Sequence, residues 1–204
     1  MYKNADRGNR AVRLGGLLAM ALAALAAGCA PDYVTDNASS VNLIIASING
    51  GAQLDSDVRF GLESTFVCED EVDIAVAVRN KNPNAPFPSV PSAVLIKSYE
   101  VRYFRTDGRG TEGVDVPYRI TGNLAFAVDV ANSGTSEFPL EVVRRQAKVE
   151  PPLSSIYQAA LLTVMAEVTL YGETVAGERV QASGRLQIDF ADYGDDEETC
   201  PAND

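Results

Sequence analysis

The chain holds three cysteines, and two of them stand beside runs of carboxylates: Cys68 precedes Glu69-Asp70-Glu71-Val72-Asp73, and Cys200 follows Asp192-Tyr193-Gly194-Asp195-Asp196-Glu197-Glu198. Cys29 lies apart from both, at the end of an apolar N-terminal run. If Cys29 is otherwise engaged, Cys68 and Cys200 are an even remainder that an exported protein would join as a disulfide, the other reading being two free buried thiols. A bridge would bring the acidic runs within a Debye length of about 8 to 10 Å, where carboxylates repel unless water or a cation neutralises them. Such an oxygen-rich edge suits Ca2+, with Glu69, Asp70, Asp195 and Asp196 as candidate ligands, although the D-x-D-x-D-G spacing of a dedicated calcium loop is absent. The plainer expectation is a solvated acidic edge that discourages sheet-to-sheet pairing, with no cofactor. Zinc is disfavoured, because two thiolates without imidazole would need two carboxylates to complete a tetrahedron.

The sequence contains no His, which removes Ser-His and Cys-His pairs and the commonest general base near neutral pH. Only Ser-Lys pairs survive as nucleophile and base, and no S-x-x-K motif occurs, so an enzyme is not expected. A carboxylate-pair glycan hydrolase would have acids in plenty, but nothing singles out two in opposed environments. Gly108-Arg109-Gly110-Thr111-Glu112-Gly113 fits the G-x-G-x-x-G pattern of dinucleotide folds. The residues after it, Val114 to Ile120, alternate and include Pro117, so no helix follows and the glycines read as a hairpin connection opened by Asp107-Gly108. A formal net charge of -11 argues against nucleic acid as partner.

Residues 1–28 read as an export signal: Lys3, Arg7, Arg10 and Arg13 precede an apolar run from Leu14 to Ala27, which ends at Gly28-Cys29. A membrane helix needs roughly 20 apolar residues, so this run is too short for a permanent span. Leu25-Ala26-Ala27-Gly28-Cys29 resembles the lipobox of bacterial lipoproteins. The resemblance implies cleavage between Gly28 and Cys29, acylation of Cys29 by palmitate-type chains and, with Ala30 next, an outer-membrane rather than inner-membrane address. Several chains at one residue hold a protein firmly, at roughly 0.8 kcal/mol per buried methylene. Without residues 1–28 the net charge falls to about -14. Residues 29–40 read as the lipidated cysteine and a flexible tether, reaching at most roughly 35 Å.

Residues 41–191 read as strands almost throughout, because apolar residues recur at every second position. The sets are Val41, Leu43 and Ile45; Val72, Ile74, Val76 and Val78; Tyr99, Val101 and Tyr103; Val116, Tyr118 and Ile120; Leu124, Phe126, Val128 and Val130; Phe138, Leu140 and Val142. Two long sets close the series, Leu162 to Leu170 and Leu186 to Phe190. About eight strands with short turns predict an all-β, antiparallel sandwich, immunoglobulin-like or fibronectin-like. One short helix is expected over Ser154 to Leu161, capped by Ser154 or Ser155. Residues 192–204 form an acidic tail.

Four prolines between Asn82 and Pro91 force a loop and place Phe87 there, either over one end of the core or as a contact residue. The strand ahead of it, Val76 to Asn80, runs through Lys81 into Asn82-Pro83-Asn84. This segment resembles the strand ending of late-embryogenesis-abundant type 2 sandwich domains, which implies a sandwich fold. Arg144-Arg145 with Lys148 reads as a solvated basic strand end. The expectation is thus a lipid-anchored envelope protein, non-catalytic, serving as a structural or protein-interaction module with an envelope protein as partner. The rival is a ligand-binding lipoprotein that captures a small molecule, glycan or Ca2+ at one end of the sandwich, where Phe87, Tyr118 and Tyr157 would supply stacking faces.

Overall fold

The computed structural model describes residues 39–59, 67–82, 93–128, 134–156 and 160–193. Its longest strands are those with the longest alternation. In β7 (Leu162–Thr174) Leu162, Val164, Ala166, Val168 and Leu170 are buried, and the residues between them are half-buried. The partner β8 (Arg179–Ala191) lies antiparallel from Leu162↔Phe190 to Glu173↔Arg179. Gly177 takes φ +83° in the turn between them, a left-handed conformation that costs glycine little. On the other side of β7 lies β4 (Val94–Phe104), and β5 (Ile120–Val128) forms the edge beyond it. A short β2 (Leu54–Asp57) completes this five-stranded sheet, in the order β2-β8-β7-β4-β5.

The second sheet has three strands in the order β1-β3-β6: β1 (Val41–Ile48), β3 (Asp70–Asn80) and β6 (Ser136–Val143). Inward residues of both sheets form one core, with Ile74 and Val76 of β3, Ile96 and Val101 of β4, and Ile188 and Phe190 of β8 all fully excluded from water. The Phe126 and Phe138 rings meet across the sheets, centroids 4.5 Å apart. Gly184 stands on the inward face of β8, where a Cβ would lie 3.0 Å from Ile48 Cδ1 and 3.2 Å from Ile45 Cγ2, so its bare backbone lets β1 come close. The result is the two-sheet all-β sandwich that the alternation predicts.

Three local expectations need correction. The sandwich is not wholly antiparallel, because β2 runs parallel to β8, Leu54↔Ile188 through Asp57↔Ala191. The apolar set Val116-Tyr118-Ile120 is not a separate strand. Val116 makes an isolated bridge with Glu112, Tyr118 is exposed, and β5 starts only at Ile120. Pro117, which has no N–H to donate, stands in that gap. A short helix, α1, covers Arg145–Val149, ahead of the segment expected to be helical, and among the described residues of that segment only Ser154 and Ser155 join a turn, the 3-10 turn Leu153–Ser155. The glycine-rich stretch does connect antiparallel β4 and β5, with Gly108 N–H donating to the Arg105 carbonyl at 3.1 Å. At the N-terminal side, Ser39 and Ser40 already belong to the folded unit: Ser39 is 3% exposed and the Lys81 amide donates to the Ser40 carbonyl.

Candidate functional site

Gly28, Cys29, Phe87, Tyr157, Asp195, Asp196 and Cys200 lie outside the described residues. Cys68, Glu69, Asp70 and Tyr118 lie within them. Cys68 is 2% exposed and is disulfide-bonded. Glu69 is exposed, whereas its neighbour Asp70, the first residue of β3, is half-buried and turned to partners of this chain. Among the described residues no group of three His, Cys, Asp or Glu side chains could hold a metal ion.

Asp70 is the centre of a polar cluster assembled from three elements. From β2, Ser56 Oγ donates to Asp70 Oδ2 at 2.6 Å. From α1, Lys148 Nζ donates to Oδ1 at 3.1 Å and lies 3.0 Å from Oδ2. The Lys148 side chain is 0% exposed and Ser56 is 0% exposed, so bulk water does not compete for these bonds. Asp57, the next residue of β2, is buried as well, and its Oδ1 accepts from the Arg59 amide at 3.0 Å and the Tyr193 amide at 3.4 Å. Burial pushes the Asp70 carboxyl up, Lys148 and the Ser56 hydroxyl pull it down, and the Asp57 charge pushes it up again, leaving it above its ordinary value.

Chemically, this cluster is a connector. The Ser56 hydroxyl and the Lys148 amine both spend a proton on the same carboxylate, so the amine is not placed as a base for the hydroxyl. The cluster joins the edge strand of one sheet to the first residue of a strand in the other, and pins α1 to both. It also corrects the reading of Arg144-Arg145-Lys148 as a solvated basic cluster. Arg144 is exposed and donates to the Thr121 carbonyl at 3.0 Å, while Lys148 turns inward to Asp70. Sequence reasoning missed Ser56 and Asp57 and turned Lys148 outward, because a polar four-residue strand and a lysine in a basic run carry no apolar period.

Tyr118, the described member of the expected aromatic trio, is 55% exposed. Its ring lies on the backbone of Gly113, which has φ +75°, and any Cβ there would run into the ring. Next to it Arg119 pairs with Glu112 at 2.7 Å and Glu100 at 3.3 Å, and Tyr171 donates to Glu100 at 3.4 Å. A separate open groove of about 420 Å3 runs between β1 and β8, lined by Ile45, Ile48, Gln53, Arg185 and Gln187 among others.

No family model matches the chain, and no curated protein matches it. Among solved structures, the chain is similar to the solution structure of a putative late embryogenesis abundant (LEA) protein, with 11% sequence identity, a TM-score of 0.39, and 97% of this chain and 98% of that one covered. A second similar structure is the crystal structure of the sporulation control protein Spo0M from Bacillus subtilis, with 12% identity and a TM-score of 0.25, covering 73% of this chain and 48% of that one.

Proposed function

We propose that this chain is an envelope lipoprotein, held at the outer membrane through an acylated Cys29, whose sandwich serves as a non-catalytic structural or protein-interaction module. The observation that carries the reading is the leader, in which four basic residues, the apolar run Leu14–Ala27 and Gly28-Cys29 follow one another in the order of an export signal with a lipidated cysteine. The non-catalytic part is supported by the buried cluster, where serine, lysine and aspartate converge but are committed to one another. The pairing of Cys68 follows from the same reading. A cysteine whose sulfur carries a lipid thioether has no thiol to oxidise, which leaves Cys200 as the partner of Cys68 in an oxidising compartment.

Cell fractionation of the full chain and of Cys29→Ser tests the anchor. The native chain stays with the outer membrane until detergent is added, and Cys29→Ser is released as a soluble protein. Equal release of the two would overturn the reading. Crosslinking from native membranes yields one envelope protein reproducibly if the domain is an interaction module, and a melting shift with a small ligand in place of any adduct would contradict that role.

A further inference from the structure

We propose that Lys148 and Asp70 are the two halves of an intramolecular isopeptide bond, a covalent amide from Lys148 Nζ to Asp70 Cγ that ties α1 to the start of β3. The Lys148 amine lies 3.0 and 3.1 Å from the two oxygens of Asp70, so it faces the carboxyl carbon, and rotation about the Asp70 Cβ–Cγ bond brings it over the carboxyl face. The two residues are 78 positions apart in sequence, and the fold holds them in contact.

The step balances without any co-reactant. One proton passes from the ammonium to the carboxylate, giving a neutral amine and a carboxylic acid. The Nζ lone pair then forms the bond to Cγ, the Cγ–Oδ2 bond breaks, and a second N–H proton reaches the departing oxygen, so one water leaves and an amide remains. Ser56 holds the departing oxygen while it takes that proton, since its hydroxyl already donates to Oδ2 at 2.6 Å. The reacting forms are the neutral acid and the neutral amine. Burial, the largest influence on Asp70, pushes it toward its protonated form against the pull of Lys148 and Ser56. The product replaces two buried charges with a neutral amide in a place where the Lys148 side chain is 0% exposed, so the released water is not readily taken back.

The purified full chain, reduced, alkylated and digested, gives the test by mass spectrometry. The peptides carrying Asp70 and Lys148 are expected as one linked species, lighter than their sum by the mass of one water. In Lys148→Arg and Asp70→Ala the same two peptides return separately at full mass. Ser56→Ala lowers the linked fraction in a chain whose circular dichroism still shows the sheet. Recovery of both native peptides unlinked at full mass overturns the proposal, as does loss of water from the Asp70 peptide alone, which would be an internal succinimide.

Discussion

Tyr103 offers a sharp test of how the two sheets are held together. It belongs to β4 in the five-stranded sheet, is 5% exposed, and its hydroxyl crosses the core to donate to the Val142 carbonyl of β6 at 2.6 Å. Val142 is the residue skipped in the β3–β6 register, which steps from Asp70↔Val143 to Glu71↔Glu141. A bulge thus disrupts the ladder at Val142, and the tyrosine satisfies its carbonyl. Tyr103→Phe keeps the ring and opens only a small gap, so its cost is that of a buried acceptor left without its partner, about 1 to 3 kcal/mol. With a urea slope of about 2 kcal/mol per M, the unfolding midpoint falls by about 0.5 to 1.5 M at unchanged slope. Tyr171→Phe is the control, because that exposed hydroxyl makes only a 3.4 Å contact with Glu100 and its loss should stay within about 0.5 kcal/mol. Burial holds the Tyr103 phenol well above its ordinary value. The folded state therefore keeps this proton more tightly than the unfolded state does. The stability so conferred is complete below about pH 10 and is lost as pH rises beyond it, which Tyr103→Phe would abolish. Equal midpoints for the two tyrosine variants would refute the inter-sheet role of this bond.

Three further outcomes follow from the packing and the surface charges. Phe190→Ala removes a ring that is 0% exposed between the sheets and should cost about 3 to 5 kcal/mol by urea unfolding; a loss under about 1 kcal/mol would mean that the core is loosely packed there. Gly113→Ala forces a side chain into a left-handed turn and against the Tyr118 ring, so the melting temperature should drop by several degrees, whereas an unchanged value would remove Tyr118 from that contact. The Asp107 carboxyl, held by the Arg109 side chain and amide and by Arg105, should titrate by NMR at about 2 rather than at 3.8. Because that value is lowered on folding, its contribution is present above the ordinary value and is lost as pH falls toward 2, and a midpoint near 4 would contradict the pairing.

The legible part of the fold is the part with apolar period. β7 reads directly from its sequence because every second residue from Leu162 to Leu170 is buried, and β3 and β8 follow the same rule. β2 does not, since Leu-Asp-Ser-Asp buries its serine and second aspartate, and a polar tetrapeptide becomes a strand only because β8 offers it a parallel edge. α1 is equally hidden: Arg145–Val149 has no side-chain cap at its start and is fastened instead by the inward turn of Lys148. The candidate site divides along the same line. Acidic residues near Cys68 were visible as a run, but which of them faces inward depends on Ser56 and Lys148, two side chains brought there by tertiary pairing over 14 and 78 positions. A sequence pattern of short period carries no information about such pairs.

Mass analysis of the N-terminal peptide from membrane-derived protein tests the anchor at Cys29 directly. The expected mature chain starts at Cys29 and bears a mass increment of fatty acyl groups on that residue. An unmodified cysteine there, or a mature protein that still carries residues 1–28, would contradict the anchor.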